Sequence, residues 1–155
     1  MRRDGAMTTG RTSLRELLER PVMLEDTRLG EPTDAVVDSE SLRIVGLEVA
    51  CDDGVRRFLP LAAARIRDDH VAVGSALMLL EEDVRDFYRR RTTMFSALVG
   101  SFVERAGRPL GQLSDLTVGP DGDAEGVWVS ANGSGEREHP RAGVVLASAQ
   151  RVPAA

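Results

Sequence analysis

The chain has 155 residues, 42% of them hydrophobic and 29% charged, with a formal net charge of -5. That acidic balance argues against non-specific nucleic-acid binding, which depends on neutralising phosphates. A single cysteine, Cys51, excludes an intrachain disulfide and a zinc site of clustered cysteines, and because all 20 basic residues are arginine there is no lysine nucleophile or Schiff base.

Residues 1–13 read as a disordered tail, since positive charge near Met1 has no apolar core behind it as a secretory signal would, and the expected location is the cytoplasm. Leu14, Leu17 and Leu18 follow Thr12-Ser13 at the spacing of a capped helical turn and should lead into a strand at residues 21–24. Glu25-Asp26-Thr27 supplies a turn, and Gly30 gives the backbone freedom that starts a strand at residues 33–38. Residues 44–51 then alternate, with Val45, Leu47, Val49 and Cys51 facing one way and Gly46 and Glu48 the other. Cys51 is thereby expected in the core. Asp52-Asp53-Gly54 is a hairpin turn, its return strand at residues 55–59 ends at Pro60, and a last strand carries Val71 and Val73. Several short strands joined by tight turns predict a small closed barrel.

Residues 81–91 are expected to form a helix, because Leu80, Val84, Phe87 and Tyr88 recur at helical spacing between Glu81-Glu82-Asp83 and Arg89-Arg90-Arg91. The apolar runs, such as residues 76–80, are far shorter than the roughly 20 residues of a membrane span.

Beyond that helix the chain repeats itself. Leu29, Gly30, Asp34 and Val37 return as Leu110, Gly111, Asp115 and Val118, all 81 positions later. The opening Leu14 to Leu18 returns as Phe95 to Val99 at the same offset, and Leu47, Val49, Cys51 and Pro60 return as Val127, Val129, Ala131 and Pro140 at an offset of 80. Val127, Val129 and Ala131 are therefore expected to point inward together. The second copy is more polar: Phe58 and Leu59 correspond to Glu138 and His139, and Val71 and Val73 to Arg151 and Pro153. The expected architecture is mainly β, two small β-barrels in tandem joined by a short α-helix, with repeats at residues 14–75 and 95–150 and the link at residues 76–94.

The leucine-rich opening with Pro21-Val22, followed by Leu29-Gly30, Asp34 and Val45-Gly46-Leu47, resembles the PRC-barrel family. The resemblance covers residues 14–73 and, more weakly, residues 95–146. It implies small β-barrels of the kind in the cytoplasmic part of the photosynthetic reaction-centre H subunit and in a bacterial ribosome-maturation factor, where the barrel makes protein contacts and does no chemistry. The membrane helix of the one and the extra N-terminal domain of the other have no counterpart in these residues.

Chemistry-bearing positions are few. Asp121, Asp123, Glu125 and Gly126 match the start of a calcium loop, but its twelfth position is Asn132 where a bidentate Glu belongs, so a solvated turn is expected and no metal is assigned. Arg89, Arg90 and Arg91 suit a helix C-terminus, and neither His70 nor His139 has a nucleophile beside it in the sequence. Gly30, Asp34, Gly111 and Asp115 recur between the copies, which favours a structural role. Trp128 is expected to face away from Val127 and Val129, covered by Val84 and Phe87 of the linking helix or by another protein chain. The expected function is a cytoplasmic adaptor, non-enzymatic and without a cofactor, that binds an unidentified protein or itself. The alternative is an RNA- or ribosome-associated factor, with Arg89 to Arg91 as its basic candidate.

Overall fold

The computed structural model describes residues 11–80, 92–131 and 135–147. The expected helix, with Val84, Phe87, Arg89, Arg90 and Arg91, lies outside the described residues. Within them the chain is mainly β, with a sheet curled into a half barrel.

The first repeat opens with β1 (Thr12–Ser13) and one helical turn, α1 (Leu14–Leu17), capped by the Ser13 side chain, which accepts a hydrogen bond from the Glu16 amide. Then come β2 (Val22–Leu24), β3 (Thr27–Asp38), β4 (Ile44–Cys51), β5 (Arg56–Pro60), β6 (Ala64–Ile66) and β7 (Val71–Val73), in sheet order β5-β4-β3-β2-β7-β6. The second repeat opens with β8 (Thr92–Met94) and α2 (Phe95–Leu98). It continues with β9 (Phe102–Arg105), β10 (Arg108–Val118), β11 (Ala124–Ala131), β12 (Gly135–Pro140) and β13 (Val144–Ala147), in order β12-β11-β10-β9-β13.

The β3 strand begins well before residue 33, where the sequence suggests it should. Gly30 lies so close to β4 that a Cβ there would sit 2.5 Å from the Ala50 carbonyl oxygen, so only glycine carries the ladder past this point. Pro32, which has no N–H, falls at a register shift between Pro32 and Asp34. An equivalent shift lies between Leu113 and Asp115 in β10. A second shift, between Val36 and Val37, makes Val45 the extra residue, so Ile44, 1% exposed, takes the core place that simple alternation gives to Val45. Ala131, expected to point inward, is exposed at the end of β11, opposite Gly135.

The repeats differ at one edge. Beside β2 lies the parallel β7, whereas beside β9 lies the antiparallel β13. The counterparts of Val71 and Val73, Arg151 and Pro153, lie outside the described residues.

The opening segments are exchanged between the repeats. Strand β1 pairs with β10, Ser13 opposite Thr117, and β8 pairs with β3, Met94 opposite Val36. Thr12 and Ser13, read from sequence as the end of a tail, are thus part of the second repeat's sheet. Leu14 and Leu17 are fully buried and join Leu47, Leu59, Leu113 and Val127 in one apolar cluster spanning both repeats. Each such leucine stabilises the fold by about 1.5–3 kcal/mol. No helix among the described residues is long and apolar enough to cross a membrane.

Candidate interaction surface

Asp34 and Asp115 hold the exchanged segments in place. On each bulged strand the aspartate turns back on its own backbone, Asp34 Oδ1 accepting from the Ala35 amide at 2.9 Å and Asp115 Oδ1 from the Leu116 amide at 2.8 Å. Each then reaches the helical turn of the other repeat. Asp34 accepts from the Ser96 amide at 3.0 Å and the Ser96 hydroxyl at 2.5 Å. Asp115 accepts from the Arg15 amide at 3.1 Å and from the Ser13 hydroxyl. Arg15 and Ser96 are equivalent positions, so the same amide is bound on both sides. A carboxylate suits this place because the first amides of a helical turn have no partner within the turn.

Gly30 and Gly111 have a matching task, for a Cβ at Gly111 would run into the carbonyl oxygen of Ser130, the counterpart of Ala50. Gly111 also has φ +136, which L side chains rarely adopt.

Trp128 is half-buried on the face of β11 away from Val127 and Val129. Its indole N–H donates to Thr117 Oγ1 at 2.9 Å, and the Thr117 hydroxyl donates to Glu138 Oε2 at 2.5 Å. Glu138 also pairs with Arg11 at 3.1 Å. In the second repeat Trp128 lies opposite Glu138, while in the first Glu48 lies opposite Phe58. The acid and the aromatic have exchanged strands. The polar Glu138 and the unmatched Trp128 are therefore two halves of one substitution, and Thr117, standing where the first repeat has Val36, supplies the hydroxyl that links them.

In front of Trp128 is an open groove of about 510 Å³ between the β1–α1 segment and β12, lined by five carboxylate side chains and two arginines. Arg11 spans Glu125 and Glu138, and Arg15 lies 3.6 Å from Glu136. Two larger clefts flank the first repeat: one of about 790 Å³ beside buried Cys51, Arg57 and Leu77, and one of about 760 Å³ beside Arg43 and Asp123.

The remaining sequence candidates have local partners. Asp123 pairs with Arg43 at 2.8 Å and Glu125 with Arg11 at 3.0 Å, so two of the calcium-loop carboxylates serve ion pairs. His70 Nδ1 lies 2.6 Å from Asp69, a contact that holds the Asp69 carboxyl below its ordinary value. Asp53 is held low by the Val55 amide and by Arg57, and Arg57 is raised by its hydrogen bonds to Cys51 and Asp53. Ser96, Thr117 and Arg11 join the surface with no signal in the sequence, beside Ser13, which the sequence gives only as a helix cap, and Glu138, which it gives only as the polar counterpart of Phe58. The cap at Ser13 is readable from the Ser-x-x-Glu pattern to Glu16, and Glu138 from the repeat offset.

Comparison with protein-family models and with curated proteins found no match for this chain.

Proposed function

We propose that the protein is a non-enzymatic, cytoplasmic interaction module of the PRC-barrel type, two small barrel-like repeats joined by a short helix, acting as an adaptor without a cofactor. One observation carries this reading. Each repeat takes up an extended segment and a helical turn from a distant part of the chain, using main-chain pairing and one aspartate as the anchor. Strand addition with a fixed side-chain anchor is how domains recognise peptides. The residues behind the family resemblance also have architectural work: Gly30 allows close strand approach, Asp34 anchors the other repeat, and Leu47 is a core residue.

Affinity capture from a native cytoplasmic extract tests the proposal, with nucleic-acid absorbance measured on the purified protein. The expected result is a specific protein partner and no co-purifying nucleic acid. Salt-sensitive RNA binding would replace this reading with that of an RNA- or ribosome-associated factor. Turnover of a small molecule by the purified chain would sink it.

A further inference from the structure

The two sheets end differently at equivalent edges. Beyond β5, the Phe58 amide donates to the Leu80 carbonyl at 2.8 Å and the Leu80 amide donates to the Phe58 carbonyl at 2.7 Å, so one residue of an extended segment covers that edge. Glu138 holds the place of Phe58 in the second repeat, because Trp128 lies opposite Glu138 as Glu48 lies opposite Phe58. Its amide and carbonyl therefore point away from β11. Among the described residues no strand pairs beyond β12.

We propose that this edge of β12 takes an extended segment of a partner protein, added antiparallel, with arginines two residues apart facing Glu138 and Glu136. The inference rests on the reading of the protein as an interaction module. The covered edge indicates the rule of pairing, since apolar Leu80 lies opposite apolar Phe58. Opposite Glu138 the matching residue is a cation. Glu136 and Glu138 lie on one face of the strand, their side chains 45% and 31% exposed, with the Trp128 ring behind them in the groove. Arginine fits better than lysine, because a guanidinium both pairs with a carboxylate and stacks on an indole. The groove already accepts guanidinium groups from Arg11 and Arg15, and its five carboxylates leave acid in excess of those two.

A second copy of this chain is a poor occupant. In an antiparallel pair, outward-directed residues oppose outward-directed residues. Against its own copy β12 would set Glu138 opposite Glu138 or Glu136, and like charges opposite one another are destabilising.

Trp128 is the only tryptophan and reports on the groove by its emission. The probe is a blocked pentapeptide, Thr-Arg-Val-Arg-Thr, titrated into the full chain. Saturable change in emission is expected. Exchanging both peptide arginines for glutamate should weaken binding at least about tenfold, as should methylating the peptide amide that faces the Glu138 carbonyl. Glu136→Arg should weaken the arginine peptide similarly, with an unchanged circular dichroism spectrum as the check on folding. Equal binding of the acidic or the methylated peptide overturns the proposal, as does the absence of saturation. Dimerisation of the free chain that Glu136→Arg strengthens or abolishes would give the edge to a second copy instead. A protein captured from extract equally by wild type and Glu136→Arg would leave the interaction reading intact and remove this edge from it.

Discussion

Arg43 and Asp123 occupy the same position in the two repeats, 80 residues apart, and they pair with each other through a backbone bridge and a 2.8 Å guanidinium–carboxylate contact. A residue that meets its own counterpart lies on the axis relating two copies. The repeats therefore associate as the halves of a two-fold dimer do, with the β1 and β8 exchanges on either side. In a dimer of identical chains the axis residue would face itself. A tandem chain is free to place arginine on one side and aspartate on the other.

Charge swapping tests that pairing. Both side chains are half exposed or more, so the ion pair is worth about 0.2–1 kcal/mol. Arg43→Asp should lower the urea midpoint slightly, and Arg43→Asp with Asp123→Arg should recover most of the loss. A double variant whose cost is the sum of the two single variants would show no coupling.

Asp115→Ala should cost about 1–3 kcal/mol by leaving the Arg15 amide and the Ser13 hydroxyl without their acceptor. Asp34→Ala should cost less, since Asp115 is only 7% exposed and Asp34 is half-buried. Hydrogen exchange reads the two anchors separately. The Arg15 amide should lose protection in the first variant and the Ser96 amide in the second, and loss of both in either variant would contradict separate anchors.

Gly30→Ala brings a methyl group within 2.5 Å of a backbone oxygen and Gly111→Ala meets the same obstacle with φ +136 added, so both should lower thermal stability, Gly111→Ala more. Gly74→Ala is the control: nothing lies within 4 Å of its Cβ position, and its effect should be within about 0.5 kcal/mol. Equal tolerance of all three would mean that the strands separate at these points.

The Asp53 carboxyl should titrate below its ordinary value of 3.8 by carbon-13 NMR, and Arg57→Gln should move it back part of the way, the Val55 amide remaining. A depressed carboxylate favours the folded turn above the unfolded value and loses that contribution as pH falls through the folded one. The hairpin at residues 52–54 should therefore loosen only in acid. A midpoint at or above the ordinary value would contradict the Val55 and Arg57 contacts.

Much of the β architecture was legible because turn residues and the 81-residue offset are local signals or direct comparisons. Simple alternation puts Val45 in the core, where the structure has Ile44, because a bulge adds one residue to one strand and reverses the alternation beyond it, without leaving a mark in composition. The recurrence of Asp34 and Asp115 was visible, but their partners lie 62 and 100 or more residues away, where no spacing rule reaches. Glu138 reads as a polar lapse until the register sets it opposite Trp128. That relation belongs to a pair of strands and to neither alone.

The exchange of opening segments also orders events in time. Thr12, Ser13 and α1 leave the ribosome before the strand and the aspartate that receive them, which come about 100 residues later. At roughly 5–20 residues per second that is a wait of seconds to tens of seconds. During it Leu14 and Leu17 have no second sheet to cover them, and until residue 94 is made β3 lacks its partner β8. The halves should consequently acquire their final structure in one concerted step, once β10 has been made. A translational pause before residue 118 would hold the chain in its most aggregation-prone form.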